Sequence, residues 1–327
     1  MSTSTLARSW RSLRGAGGGA GKPVPPGRRT GGARERSAQW VAWAFVAPLV
    51  IYLVVFYAYP LYRNVELSLK HYTVRSFVDG NAPFIWFDNY LAVFRDPAFV
   101  STLVHTALFT GVSIAFQFTI GMALAVFFYQ SFRLSGTLRA LMLVPWLLPL
   151  IVSASTWSWM LNSDSGIVNS VMQAFGIGQI NWLTSPSWSL VSVIIANIWI
   201  GIPFNLVILY SGLQAIPVDL YEAAALDGAN AWQKFWRITF PLLRPVSAIT
   251  VLLGLVYTLK VFDIIWIMSK GGPGDASTTL AIWSYRLGFG STLPQFSPAA
   301  AVGNLLIILA VGFGLLYVYT QRKQQLS

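Results

Sequence analysis

Polar and aromatic residues interrupt the long apolar segments of this chain, and their types and spacing suit the binding of a solute. Asn197, Gly201 and Phe204 recur at i, i+4 and i+7, which places them on one face of a helix. The amide can form hydrogen bonds with hydroxyl groups, the glycine leaves room, and the ring can stack on C–H faces. Polar groups inside apolar helices are costly unless they face a cavity or a partner. The pattern therefore predicts a binding pathway suited to a sugar.

A later apolar segment carries Tyr257, Thr258, Lys260 and Asp263. Lys260 and Asp263 are three residues apart, so on one helix they can form an ion pair. In the alternative interpretation, each charge lines a pathway. The other polar positions also have a purely structural interpretation, in which Asn197 forms a hydrogen bond across helices and glycine permits close helix packing. The sequence alone leaves both interpretations open.

The chain lacks the motifs of an enzyme. It has no phosphate-binding loop of the type G-x-x-x-x-G-K-[ST], no H-E-x-x-H and no nucleophile elbow. It contains no cysteine, which excludes disulfides and thiol chemistry, and its two histidines, His71 and His105, are far apart in sequence. We therefore predict no catalytic residue, no metal site and no cofactor bound by this chain.

Composition indicates a membrane protein. Of 327 residues 55% are hydrophobic and only 10% are charged, and the 14 Trp suit membrane interfaces. We predict an all-α polytopic fold, with six spans of about the 20 residues that a bilayer requires. The predicted spans are 40–62, 102–129, 138–161, 188–213, 246–268 and 299–320.

The distribution of basic residues predicts the orientation. Residues 1–38 hold eight of the 22 Lys and Arg. We predict that they form a disordered cytoplasmic tail ahead of a membrane domain at 39–327. This tail either holds the N-terminus inside or touches anionic lipid. With the N-terminus inside, cytoplasmic segments carry fifteen basic residues and external segments six, which predicts cytoplasmic N- and C-termini. Basic residues that flank spans indicate topology, so the net charge of +11 does not predict a nucleic-acid partner.

A polar stretch at 214–245, between the fourth and fifth spans, predicts a cytoplasmic helix–turn–helix. Residues 218–226 suit a short helix, Gly228 suits a turn, and Asp227 or Asn230 can cap a second helix over 231–239. Pro241 is expected to end that helix, because the residue before a proline disfavours helical angles. We expect a helix–turn–helix with an apolar tip that can insert into a cleft of another protein. The alternative is an ordinary loop that caps its own bundle.

Residues 222–245, EAAALDGANAWQKFWRITFPLLRP, resemble the cytoplasmic coupling loop of ABC importer permeases, with Phe240 at a position where Leu is usual. The resemblance implies that a set of loop residues docks on an ATPase. They are Glu222, Ala223, Ala224, Asp227, Gly228, Ala229, Phe235, Ile238 and Pro241. Two further stretches, WFDNYLAVFRDPAF at 86–99 and VFDIIWIMSKGGPGDASTTL at 261–280, resemble permeases for carbohydrates.

In maltose-type permeases the positions that correspond to five residues here contact substrate. They are Asn197, Gly201, Phe204, Tyr257 and Thr258. To these we add Lys260 and Asp263 as candidates from their charge. Gly254 and Val261 are apolar where the maltose-type pattern is polar, so the resemblance does not extend to the same substrate.

The resemblance implies a permease subunit of a binding-protein-dependent sugar importer in the bacterial inner membrane, which forms half of the pathway. Its expected partners are a second homologous permease, two ATPase subunits that hold ATP and Mg²⁺, an external solute-binding protein, membrane lipid and a sugar. Alternatives are a permease for glycerol phosphate, a polyol or an amino acid, or an ion-coupled secondary transporter. A secondary transporter usually carries inverted repeats and intramembrane carboxylates, of which only Asp263 is present.

Overall fold

The computed structural model describes residues 31–130, 132–290 and 292–325, which are helices joined by loops. Two π-helical turns lie at Val54–Ala58 and Phe235–Thr239. The α-helices are α1 (Gly31–Leu53), α2 (Tyr59–Leu69), α3 (Val74–Asp79), α4 (Asp88–Arg95), α5 (Ala98–Tyr129), α6 (Ser135–Met142), α7 (Val144–Leu147), α8 (Leu150–Met160), α9 (Ile167–Ala174), α10 (Pro186–Gln214), α11 (Val218–Leu226), α12 (Ala231–Lys234), α13 (Phe240–Leu259), α14 (Asp263–Met268), α15 (Leu280–Phe289) and α16 (Phe296–Gln325).

The chain divides into two compact units, one up to Tyr59 and one from Pro60 onward. The predicted disordered tail falls in the first unit, where residues 1–30 lie outside the described part of the chain. Residues 31–38 are helical, because α1 begins at Gly31. Disorder of the tail at 1–38 stays a prediction.

The helices of the described residues contain five stretches that are long and apolar enough to cross a membrane. They are Trp43–Leu69, Ala98–Tyr129, Pro186–Gln214, Ala231–Leu259 and Phe296–Thr320. A sixth is present if Ser135–Leu147 and Leu150–Met160 count together, although these two stretches are bent by 94°. The predicted span at 138–161 corresponds to this bent pair and is broken near its middle. Leu148 is extended, with ψ 140°, because it precedes Pro149.

The fifth span differs from its prediction at both ends. Phe240 has helical angles, so Pro241 does not end the preceding helix. The π-helical turn explains this, since the Phe240 amide donates to the Phe235 carbonyl five residues back, and the wider turn accommodates the proline. At the other end, α13 stops at Leu259 and α14 begins only at Asp263. The predicted helix 246–268 is therefore two helices.

Helices α5 and α10 approach each other closely. A methyl group placed on Gly121 of α5 would lie 2.5 Å from Cβ of Asn205 on α10. This approach brings together two buried apolar clusters along the same pair of helices. One contains Phe109, Val193 and Ile264, and the other contains Met122, Leu209 and Leu243. Small residues let the two backbones come close enough for these clusters to pack.

Hydrogen bonds between buried polar side chains tie α2 and α4 to α16. Asn64 donates to Asn304 Oδ1 at 2.6 Å, and Asn304 donates to Ser68 Oγ and to the Tyr90 hydroxyl at 3.0 Å each. Buried amides are costly when unpaired, so this network specifies one arrangement of the three helices.

Candidate functional site

A cavity of about 570 Å³ lies where α5, α10, α13 and α14 meet the break between α7 and α8. All seven residues predicted for the substrate pathway line it. They are Asn197, Gly201, Phe204, Tyr257, Thr258, Lys260 and Asp263. Its volume is in the usual range for a small-molecule site. Asn197 and Asp263, 66 positions apart in sequence, thus line one space, as a shared pathway requires.

One wall of the cavity is aromatic. The Phe204 ring lies 6.2 Å from the Trp146 ring and 5.8 Å from the Tyr257 ring, and both pairs meet edge to face. The two contacts hold the three rings in defined orientations. Such a wall can stack on the C–H faces of a sugar ring.

Two carboxamides, one on α5 and one on α10, supply hydrogen-bonding groups to the cavity. Gln117 Nε2 donates to the backbone carbonyl of Asn197 at 2.9 Å. Both side chains are 4% exposed, and Asn197 Nδ2 is buried without a hydrogen-bond partner among the described residues. A buried donor without a partner costs free energy, about 1–3 kcal/mol, unless a ligand or water satisfies it. Asn197 lines the cavity, and its Nδ2 is a donor left for a ligand or water to satisfy.

Gly201 lines the cavity, but a neighbouring side chain fills the space beside its Cα. A methyl group at residue 201 would lie 2.3 Å from Cδ and Nε2 of Gln117. The space beside Gly201 is therefore occupied by the Gln117 carboxamide, not kept open for a solute. Gly201 also accepts a hydrogen bond from Asn205 through its backbone carbonyl, at 2.9 Å.

The predicted ion pair between Lys260 and Asp263 does not form. Lys260 caps the end of α13, Val261 and Phe262 are not helical, and Asp263 begins α14, so the two side chains no longer share a helix face. Lys260 Nζ instead lies over the Tyr257 ring, 4.8 Å from its centroid. Both charges line the cavity, which is the other of the two interpretations that the sequence left open.

A second candidate site is the helix–turn–helix at 218–239. The first helix, α11, has the bounds predicted from the sequence, and Gly228 follows it with φ +79°. The Ala229 amide donates to the Ala224 carbonyl at 2.9 Å and the Gly228 amide to the Ala225 carbonyl at 3.1 Å. This pair of bonds is a Schellman motif, which requires a left-handed residue at the Gly228 position.

The second helix of this pair begins with a capping box. Asn230 accepts from the Gln233 amide and the Gln233 side chain accepts from the Asn230 amide, each at 2.9 Å. Of the two caps that the sequence allowed, Asn230 is the one formed, while Asp227 ends the first helix. The Tyr221 hydroxyl lies 2.9 Å from Thr239 Oγ1 and joins the two helices.

The exposed apolar surface of the pair differs from the predicted tip. Phe235 is half-buried and packs on the cluster of Met122, Leu209 and Leu243. Ile238 and Pro241 are also half-buried. The exposed large apolar side chains of the pair are Val218 (57%), Leu220 (43%), Leu226 (91%), Trp232 (70%) and Trp236 (46%), and the last three flank the turn. Four predicted docking residues, Glu222, Ala223, Asp227 and Gly228, are exposed beside them, while Ala224 and Ala229 are half-buried.

Comparison with known proteins assigns the family. Residues 117–325 match the family described as the inner membrane component of binding-protein-dependent transport systems. The chain belongs to this family. The matched range includes both the cavity and the helix–turn–helix, so both are parts of a permease. The recognition of a permease of the carbohydrate-uptake group from the sequence is confirmed.

Three similar permeases are named for carbohydrate transport. The trehalose/maltose transport system permease protein MalF of Thermococcus litoralis is 33% identical over 86% of this chain and 94% of its own. The lactose transport system permease protein LacF of Rhizobium radiobacter is 32% identical over 86% and 94%. The sulfoquinovosyl glycerol transport system permease protein SmoG of Agrobacterium fabrum is 34% identical over 77% and 84%.

Solved structures agree on the fold of the permease. A chain of a bacterial ABC transporter involved in the import of the acidic polysaccharide alginate superposes with a TM-score of 0.77 at 24% identity, covering 89% of this chain and 98% of that one. The predicted all-α, multi-span fold is confirmed.

The cavity residues that sequence reasoning missed include Gln117 and Trp146. Gln117 carried a usable signal, since a glutamine within a 32-residue apolar helix is costly unless it has a partner. Trp146 carried none, because tryptophan is common at membrane interfaces and only the bend after α7 turns it toward the cavity.

Proposed function

We propose that this chain is the transmembrane subunit of an ATP-driven, binding-protein-dependent sugar importer and forms half of its translocation pathway. The single observation that carries the proposal is the cavity, in which an aromatic wall and buried carboxamides face one space. Sugars present hydroxyl groups at their edges and C–H groups on their faces, so this combination suits them. The names of three similar permeases, for trehalose/maltose, lactose and sulfoquinovosyl glycerol transport, support the same class of solute.

The helix–turn–helix supplies the coupling in this proposal. The segment 214–245 lies in the cytoplasm with both chain termini, as the bias of basic residues predicts. Leu226, Trp232 and Trp236 present apolar surface to a separate ATPase, next to the exposed Glu222. The ATPase subunits hold ATP and Mg²⁺, and this chain binds no cofactor.

The remaining partners complete the transport cycle. ATP-driven closure of two ATPase subunits moves the helix–turn–helix, and rigid-body motion of the helices then switches the cavity from inside-open to outside-open. An external solute-binding protein delivers the sugar to the pathway between this chain and a second, homologous permease in the inner membrane. Hydrolysis of ATP resets the inside-open state.

The test combines co-purification with transport. The chain, tagged at its C-terminus, is extracted in mild detergent and its partners are identified; the complex is then placed in liposomes with its binding protein. We expect an ATPase and a second permease to accompany the chain, and uptake of maltose, trehalose or lactose to require ATP inside the liposomes. Uptake by the lone chain under an ion gradient without ATP would instead support a secondary transporter and refute the proposal.

A further inference from the structure

The Gln117 carboxamide is held in one orientation beside the cavity. Its Nε2 donates to the Asn197 carbonyl, and the absence of a side chain on Gly201 provides the space that the carboxamide occupies. With the nitrogen committed to that bond, the oxygen Oε1 is the free end of the group. No described residue donates a hydrogen bond to it, although the side chain is 4% exposed.

The neighbouring Asn197 side chain is unpaired as well. Its Nδ2 is buried without a partner among the described residues, and the residue lines the same cavity. Two carboxamides, fixed on α5 and α10 by the close helix crossing, thus leave one acceptor and one donor unused. Buried polar groups are nearly always hydrogen-bonded, so a hydroxyl group that reaches both atoms would satisfy them.

We propose that Gln117 recognises a hydroxyl group of the transported solute together with Asn197, and that Gly201 serves to admit the Gln117 carboxamide. A hydroxyl group both donates and accepts, so it donates to Gln117 Oε1 and accepts from Asn197 Nδ2. This inference rests on the proposed sugar transport and adds a specificity residue on α5, where the sequence resemblance assigned none.

A purely structural role for Gln117 makes a different prediction. In that case the carboxamide only joins α5 to α10 through the Asn197 carbonyl, and its loss lowers stability without changing the choice of solute. The preference for a sugar over its analogue that lacks one hydroxyl separates the two roles. A site built to bind a hydroxyl group rejects the deoxy analogue, because its own buried polar groups are then left unpaired.

The experiment uses the complete importer in liposomes with its binding protein. Uptake of the transported disaccharide, chosen from maltose, trehalose and lactose, is compared with uptake of its monodeoxy analogues. For one hydroxyl position we expect the wild type to prefer the parent sugar by about tenfold or more, and Gln117→Met to reduce that preference to within about twofold. The contribution of the binding protein cancels, because both complexes use the same one.

Two further variants keep the test decisive. Gly201→Ala retains Gln117 but displaces its carboxamide, so it is expected to lose the same preference even if Gln117→Met does not assemble. Gly111→Ala is the matched control, since Gly111 lies on α5 outside this cavity and has no atom within 4 Å of an added methyl group. Unchanged preferences at every hydroxyl position in Gln117→Met and Gly201→Ala would overturn the role of Gln117 alone. Uptake of none of the sugars by the assembled wild type would overturn both proposals.

Discussion

The helix–turn–helix and the cavity are built in opposite ways. The helix–turn–helix spans 218–239, its turn is stabilised by hydrogen bonds among neighbours in sequence, and its apolar residues Leu226, Trp232 and Trp236 are exposed. The cavity takes residues from positions 117 to 264, and its two carboxamides are almost fully buried. The first region exposes apolar surface, as a docking surface does, and the second encloses buried polar groups, as a binding site does. Substitutions that act on one and spare the other test this difference.

The largest expected effect comes from Gly228→Pro. The variant removes the Gly228 amide that donates to Ala225 and cannot adopt φ +79°, so the turn is lost. We expect ATP-dependent uptake to be abolished while the chain still inserts into the membrane, as measured by uptake in liposomes and by membrane fractionation.

Gly176→Pro is the matched control for that variant. Gly176 has φ +75°, its amide donates to Gln173, and the Ile177 amide donates to Met172, so it occupies the same place in a second Schellman motif after α9. Retained uptake in Gly176→Pro together with loss in Gly228→Pro would assign coupling to the turn at Gly228. Normal uptake by well-expressed Gly228→Pro would refute the coupling role.

Two aromatic residues of the same element are expected to behave differently. Phe235→Ala removes a ring packed on the permease's own core and is expected to cost about 2 kcal/mol of unfolding free energy. Trp232→Ala removes a ring that is 70% exposed, so stability should change little while affinity for the ATPase falls. Thermal unfolding and pull-down of the ATPase measure the two effects. Equal destabilisation by both variants would show that Trp232 is not a docking residue.

Within the cavity, Gly201→Ala and Gly254→Ala form a second pair. The Gly201→Ala methyl group would lie 2.3 Å from the Gln117 carboxamide, which we expect to cost about 1–2 kcal/mol through overpacking. The Gly254→Ala methyl group meets open space inside α13, so stability should stay constant or rise. Thermal unfolding of the purified complex checks both, and an unchanged Gly201→Ala would argue against the observed helix approach.

The smallest expected effect is on the aromatic wall. Phe204→Leu removes the central ring of three and is expected to lower sugar uptake about fivefold, the equivalent of about 1 kcal/mol. Trp159→Leu is the control, because Trp159 is 61% exposed and does not line the cavity. Initial uptake rates at saturating binding protein provide the measurement. Equal losses in both variants would contradict a specific role for the wall.

Much of the helix–turn–helix could be predicted because its determinants are local. Gly228 permits the left-handed turn and Asn230 caps the next helix, and both act on residues within five positions. The inward direction of Phe235 could not be predicted, since the core on which it packs comes from α5, α10 and α13. The predicted effect of Pro241 was also wrong, because the wider π-helical turn before it accommodates the proline within the helix.

For the cavity, the sequence indicated which residue types could bind a solute but not how they pair. Periodicity identified Asn197, Gly201 and Phe204 as one face of α10, and the structure places them around the cavity. The helix is interrupted after Leu259, which separates Lys260 from Asp263. No glycine or proline at 260–263 predicts this interruption. The position of Gln117 against Gly201 depends on a contact between residues 84 positions apart.

By itself, the sequence determined the membrane-spanning character, the family and the local geometry of the turn at Gly228, since apolar length and backbone angles depend on neighbouring residues. Only the tertiary structure decided which side chains are free to bind. Whether Phe235 faces a partner or the core, and whether the space at Gly201 holds a solute or Gln117, depends on how closely distant helices approach. That distance is set by packing of the whole helical unit from Pro60 onward, which no single segment encodes.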